Sequence, residues 1–296
     1  SITLKNETNR LGLSSFKALG GSLVVSDLAK NETKPTIVTA SAGNHGIGVA
    51  FSAQKFNCPC IVYLPESVPE SQADRVRAYV EPTRSNTRKT PHIKTRYGAE
   101  VKRVSGNYEV ALQTCRDDAA ASHDYEIVQD VSWDNYDAVP RRIWEGYATI
   151  AAEILDDSEK PPTHVFVNAG VGGLATGLCG YMWDRLGPSR PRFVTVEPDQ
   201  ADCIMQSVIR GEPVTVTPQG TTCQVGLDCK RPDPIAFEVL LQGTNDTISI
   251  PDQAVQPAMD FLRHSSIGLE AGESGVAGMA ALMHICQDDT LRSNLE

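Results

Sequence analysis

Short runs rich in β-branched residues alternate with longer helix-compatible runs along most of this chain. The strand-like runs fall at 36–40, 60–64, 101–104, 126–131, 163–169 and 193–197. Helix-compatible runs follow at 44–56, 70–79, 108–122, 140–155, 174–186 and 202–210. Parallel strands cannot be joined by a tight turn and need a crossover, usually a helix. Strict alternation therefore predicts an α/β fold of parallel sheets with helices on both faces. No internal repeat interrupts it, and 296 residues leave room for one large domain or two ordinary ones.

Charge and cysteine usage narrow the partners. The formal net charge is −10, which disfavours general nucleic-acid binding and anionic membrane surfaces. No apolar run is long enough to cross a bilayer, and no signal-peptide pattern opens the chain. The eight cysteines include no CxxC pair, and Cys58-Pro-Cys60 has the wrong spacing for a zinc ribbon. We expect no metal site, thiols in a reducing compartment, and a cytoplasmic protein. The chain starts Ser-Ile-Thr-Leu-Lys, as if inside a strand, and stops at Glu296 after a helix-like run, so we expect it to be cut at both ends.

One stretch breaks the rhythm. Residues 80–96 carry Arg84, Arg88, Lys89, Lys94 and Arg96 against Glu81 alone. A solvated surface loop, a basic contact loop for an anionic partner, and an in-frame retained intron all fit it. The last is motivated by how directly ADRVRAY and YGAEV would rejoin, and the mature transcript decides it.

Three motifs carry chemistry. In GLSSFKALGGS, residues 12–22, Ser14 or Ser15 is a candidate N-cap, and Lys17 falls in the first turn on a face with Gly20, Gly21, Val24 and Leu28. Apolar surroundings and a helix N-terminus both favour a neutral amine, which attacks carbonyls. A lysine with a packed stem and a solvated head is the competing use. In TASAGNHGIGVA, residues 39–50, a strand runs through a turn into a helix, at the sheet edge where such folds bind ligands. Asn44 there serves a ligand oxygen or the helix cap, and His45 reads as a core histidine bonded to backbone. In VNAGVGGLATG, residues 167–177, a strand meets glycines and a helix, a turn suited to an anion or to close packing. It is neither a Walker loop nor a dinucleotide fingerprint. A hemmed-in lysine, an asparagine turn and a phosphate cradle on one α/β chain point to a phosphorylated aldehyde, pyridoxal 5'-phosphate.

These segments resemble the fold-type II pyridoxal-phosphate enzymes, the tryptophan synthase β-like group. SSFKALGG is similar to their Schiff-base lysine segment, TASAGNHG to the asparagine loop of threonine and serine dehydratases, and GVGGL to their phosphate loop. LKNETNRLGLSSFKALGGS, IVQDVSWDNYDAVPRRIWEGY, VEPDQADC and GESGVAG look like diaminopropionate ammonia-lyase segments. The resemblance implies two α/β domains with the cofactor in a cleft between them: residues 1–38 and 134–296 form the larger, and 39–133 the smaller with the 80–96 insert. Lys17 would bind the cofactor and shuttle the Cα proton, with Phe16 near its ring. Asn44 would bond its phenolic oxygen, and Gly170, Val171, Gly172, Gly173 and Leu174 would bind its phosphate. Asp130 would handle the substrate, as ammonium partner or as general acid or base, although a strand-end cap is its ordinary use. Glu273 and Ser274 would lie near the pocket without a catalytic role.

The implied reaction is α,β-elimination from a small amino acid with release of ammonia, by a homodimer. Where the ammonia-lyases have an aspartate serving the D-substrate, this chain has Ala42, so L-substrates are favoured. Family members continue to a further strand that contacts the pyridine nitrogen, and this chain stops short of it. Threonine or serine dehydratase activity and a truncated, non-catalytic homologue are the alternatives.

Overall fold

A computed structural model describes residues 2–41, 43–77, 98–217 and 220–295. Ala42 and the basic stretch 80–96 lie outside the described residues. The chain divides into two compact units.

The first unit comprises Asn9–Asp130 and Ala138–Gly146. It contains α1 (Ala18–Leu28), β1 (Thr36–Ala40), α2 (Asn44–Lys55), β2 (Cys60–Pro65), α3 (Glu70–Arg77), β3 (Glu100–Val104), α4 (Tyr108–Ala120) and β4 (Tyr125–Ile127). The strands form one parallel sheet in the order β3-β2-β1-β4. Alternating side chains cover both faces. Val62 and Leu64 pack with Ile47, Ala50 and Phe51 of α2, whereas Tyr63 joins Val38, Ala40 and residues Ala111 and Cys115 of α4. Sequential strands extend to one side of β1 and β4 joins on the other, so the winding reverses between β1 and β4. Ligands of open α/β sheets bind outside the carboxyl ends of strands at such a reversal.

One expectation needs adjusting. The fourth strand reads over 126–131 in the sequence, but β4 ends at Ile127. Val128 N–H still donates to Val38 O at 2.9 Å. Then the Gln129 side chain takes the place of backbone: its Nε2 donates to Ala40 O at 2.9 Å, and its Oε1 accepts from Ala40 N–H at 3.1 Å. The amide continues the ladder while the main chain leaves it, which puts Asp130 beyond the strand. The compact unit includes residues 9–38, which the resemblance groups with the larger domain. The cause is packing: α1 lies on α2 with glycine at the contact, and Ser22 Oγ meets Ser52 Oγ at 3.0 Å.

The second unit comprises Ser1–Thr8, Val131–Asp137 and Tyr147–Glu296. The helix α5 (Ala138–Asp156) precedes β5 (His164–Asn168), α6 (Gly173–Leu186), β6 (Arg192–Pro198) and α7 (Cys203–Arg210). Beyond the last segment read from sequence come α8 (Pro234–Gly243), β7 (Asp246–Ile250), α9 (Val255–His264), α10 (Ala277–Gln287) and α11 (Asp289–Leu295). The strands form a parallel sheet, β5-β6-β7. Val196 and Ile250 pack with Leu262 of α9 and Ala277, Ala280 and Ala281 of α10. None of the eight cysteines is in a disulfide. Among the described residues no helix is long and apolar enough to cross a membrane.

Candidate active site

In the first unit the candidate residues gather where the sheet reverses. Lys17 is the N-cap of α1 rather than a first-turn residue, and its N–H donates to Ser15 Oγ at 3.2 Å. Its Nζ donates to Asp130 Oδ2 at 2.6 Å, 113 residues away in sequence. The pair is partly buried, with side chains 28% and 14% exposed. The Lys17 ammonium also lies 5.4 Å from the centroid of the Phe16 ring. The sequence suggested an amine surrounded by glycine and apolar groups. The structure adds a carboxylate, so the amine here belongs to an ion pair.

His45 completes the cluster. It is buried at the start of α2. Its Nε2 lies 2.9 Å from Val128 O, and since a carbonyl only accepts, Nε2 carries the proton and donates. Its Nδ1 lies 3.5 Å from Asp130 Oδ2 and makes no hydrogen bond. Burial pushes the imidazole below its ordinary value, and the Lys17 charge pushes the same way. For Asp130, burial favours protonation, but the Lys17 ammonium bonded to it holds the carboxyl below the usual carboxylate range. Asn44 is the first residue of α2 and is exposed. Gly43 is the cap of that helix, so Asn44 is not spent on capping. With Ser14, Ser15, Ala18, Ile47 and Arg75 it lines a cavity of about 300 Å³.

In the second unit the glycine turn joins β5 to α6. Ala169 N–H donates to Val196 O at 2.8 Å, which holds the turn against β6. Gly172, the N-cap of α6, has φ +107°, and α6 has no side-chain cap. A β-carbon there would lie 2.9 Å from Leu240 Cδ1. One on Gly170 would lie 3.0 Å from Cys229 Sγ. The first amides of α6 lack intrahelical acceptors and form an electropositive end. Asp233 fixes the turn: its N–H donates to Val171 O at 2.9 Å, its Oδ1 caps α8 through Ile235 N–H and Ala236 N–H, and its Oδ2 accepts from Ser132 N–H at 2.5 Å. Ser274 has a packing role, accepting from Gly226 N–H at 2.9 Å, and Glu273 is exposed.

The family model of the pyridoxal-phosphate dependent enzymes matches residues 1–294. The chain belongs to this family. It is similar to the diaminopropionate ammonia-lyase of Escherichia coli K12, 31% identical over 305 residues that cover 95% of this chain and 72% of that protein. It is also similar to the biosynthetic L-threonine dehydratase of Haemophilus influenzae, at 26% identity over 95% of this chain and 49% of that one. Among solved structures, selenomethionine holo diaminopropionate ammonia-lyase from E. coli superposes with a TM-score of 0.81 at 30% identity, covering 98% of this chain and 75% of that chain. Maize serine racemase shares the fold, with a TM-score of 0.77 at 21% identity.

The residues present fit the family's cofactor: an amine held by a carboxylate at a sheet reversal, and a turn whose backbone admits only glycine before an uncapped helix N-terminus. His45 reads from sequence as a core histidine bonded to backbone, and its burial and its bond to Val128 O bear that out; its place beside Asp130 is what the structure adds. Two contributors were not read from sequence. Gln129 acts on Ala40, far away along the chain, and no local pattern marks it. Asp233 bonds Ser132 at long range but also caps α8 ahead of Pro234, and that Asp-Pro start was a local signal.

Proposed function

We propose that this chain is a lyase of the ammonia-lyase type, eliminating the β-substituent of a small L-amino acid and releasing ammonia. The Lys17–Asp130 pair carries the reading. When bound, pyridoxal phosphate supplies a carbonyl that captures amines and a ring that accepts the electrons of a broken Cα–H bond. Lys17 provides the amine that holds the cofactor and moves the Cα proton at Nζ. The N–H groups of residues 170–174 would hold the phosphate, Asn44 would donate to the phenolic oxygen, and Phe16 would pack near the ring. Asp130 becomes available once Lys17 is engaged elsewhere. A charged, partly buried carboxylate is a partner for a second ammonium on the substrate, which favours L-diaminopropionate over L-serine or L-threonine. The dehydratase reading rests on TASAGNHG and differs in the leaving group.

The test is pyridoxal phosphate added to the purified chain, borohydride reduction, and peptide mapping. A label on Lys17, lost in Lys17→Ala, is the expected result; no label, or one elsewhere, overturns the reading. Screening L- and D-diaminopropionate, L-serine and L-threonine for keto acid and ammonia then ranks the substrates. Equal turnover of both diaminopropionate enantiomers would sink the L-preference.

A further inference from the structure

Asp130 is a largely buried carboxylate, 14% exposed, whose nearest cation is the group that, on the reading above, is withdrawn when cofactor binds. A buried charge that loses its partner is costly, so the site needs a second source of positive charge or must protonate Asp130. His45 is placed to be that source. Nε2–H is committed to Val128 O, which fixes the ring. Nδ1 is therefore the nitrogen turned toward Asp130, at 3.5 Å from Oδ2, buried and without a hydrogen-bond partner. An orphaned buried acceptor facing a carboxylate has no favourable contact while unprotonated, and one proton turns it into a donor. Val128 is also two residues from Asp130, so one ring holds both the backbone and the charge of this segment.

We infer that His45 is a positioning residue that acts as the reserve cation of Asp130: neutral while the Lys17 ammonium faces the carboxylate, and protonated on Nδ1, by one proton taken from solvent, when that ammonium is withdrawn. The charged groups acting on His45 are Asp130, after β4, and Lys17, at the start of α1. The first attracts the proton and the second repels it. Removing Lys17 thus shifts the balance in one direction only. Tied to the functional reading, the inference means that the cluster keeps Asp130 ionised throughout the exchange of amines. Asp130 can then receive a substrate ammonium instead of meeting it as a neutral acid.

The experiment is nitrogen NMR of the imidazole groups in ¹⁵N-histidine-labelled protein. His45 is assigned by its loss in His45→Gln, which keeps a donor for Val128 O. In the cofactor-free parent, His45 is expected as the neutral Nε2–H form at neutral pH. Lys17→Met and Lys17→Gln both remove the charge, and whichever folds like the parent by circular dichroism is used. Either is expected to raise the His45 titration midpoint by about one unit or more, and adding Asp130→Asn to bring it back down. An unchanged midpoint on loss of Lys17 overturns the inference. So does a midpoint that stays raised when Asp130→Asn is added. Loading the parent with pyridoxal phosphate is expected to protonate Nδ1. If borohydride then fixes the cofactor to a different lysine while Lys17→Met still moves His45, the reserve-cation inference stands and the functional reading falls. A purely structural His45 predicts that His45→Gln matches the parent in kcat and in the pH profile of kcat, which would also overturn the inference.

Discussion

A β-carbon on Gly48 would lie 2.9 Å from the backbone nitrogen of Ala18. It would also lie 3.0 Å from the carbonyl carbon of Lys17, so α2 touches α1 at the residue that bears the candidate amine. Both contacts are to backbone, which cannot swing aside. Gly48→Ala must therefore move the start of α1 relative to α2. Overpacking of this kind costs roughly 1–3 kcal/mol. The expected result is a lower unfolding midpoint in denaturant together with less borohydride-fixed cofactor at a given pyridoxal phosphate concentration. Parent-like behaviour in both would show that the two helices are not held at this separation.

Gly172 combines a left-handed backbone with a close neighbour, Leu240 Cδ1. Alanine there is disfavoured by φ, at roughly 1–2 kcal/mol, and meets a leucine methyl that can rotate. If the turn binds phosphate, Gly172→Ala should weaken pyridoxal phosphate binding several-fold and leave the weaker binding of pyridoxal, which lacks the phosphate, unchanged. Titrating both compounds by absorbance separates these effects. Equal weakening would point to general damage to the fold.

The alternation of strands and helices was enough to read β1 to β6 as parallel strands, because period and length are local properties. Lys17, Asn44 and the glycine turn stood out as candidates for the same reason: each sits in a short segment whose composition is unusual. The end of β4 was not legible. Residues 126–131 read as strand, and what stops the strand is a glutamine amide that pairs with Ala40 from another part of the chain. Asp130 was named only through resemblance, as a group that handles the substrate, and its pairing with Lys17 was not read, since an ion pair across 113 residues has no local signature. The elements from α8 onward, with the exception of the GESG turn, went unread, and the alternation there is less regular.

Asp233 meets the glycine turn through its own N–H and holds Ser132 and the start of α8 through its side chain. Three backbone N–H groups, from Ser132, Ile235 and Ala236, end on its carboxylate, and its own N–H ends on Val171 O. Asp233→Ala leaves those donors without acceptors, and loss of an N-cap alone costs about 1 kcal/mol. The expected outcome is a loss of about 1–3 kcal/mol in unfolding free energy, with weaker binding of pyridoxal phosphate. Asp233→Asn keeps an acceptor oxygen for the cap and should recover part of the loss. If Asp233→Ala is as stable as the parent, the buried carboxylate is not what secures the start of α8.

Glu197, near the end of β6, gives a pH dependence with a definite sign. The side chain is fully buried, and its oxygens accept from Ile204 N–H at 2.7 Å and Met205 N–H at 2.8 Å. Burial raises its pKa from 4.5 to about 8, with those two hydrogen bonds pulling the other way. The folded protein therefore binds a proton at neutral pH that the unfolded chain has released. Where the unfolded state binds fewer protons, stability falls as pH rises. The contribution of Glu197 is complete below pH 4.5 and is lost as pH rises through about 8. Denaturant unfolding between pH 5 and pH 9 should show this decline. Glu197→Gln carries no titrating proton and should flatten it, at the cost of one of the two backbone hydrogen bonds. A slope unchanged in Glu197→Gln would assign the pH dependence to other groups, and would mean that the two amide hydrogen bonds hold Glu197 ionised against its burial.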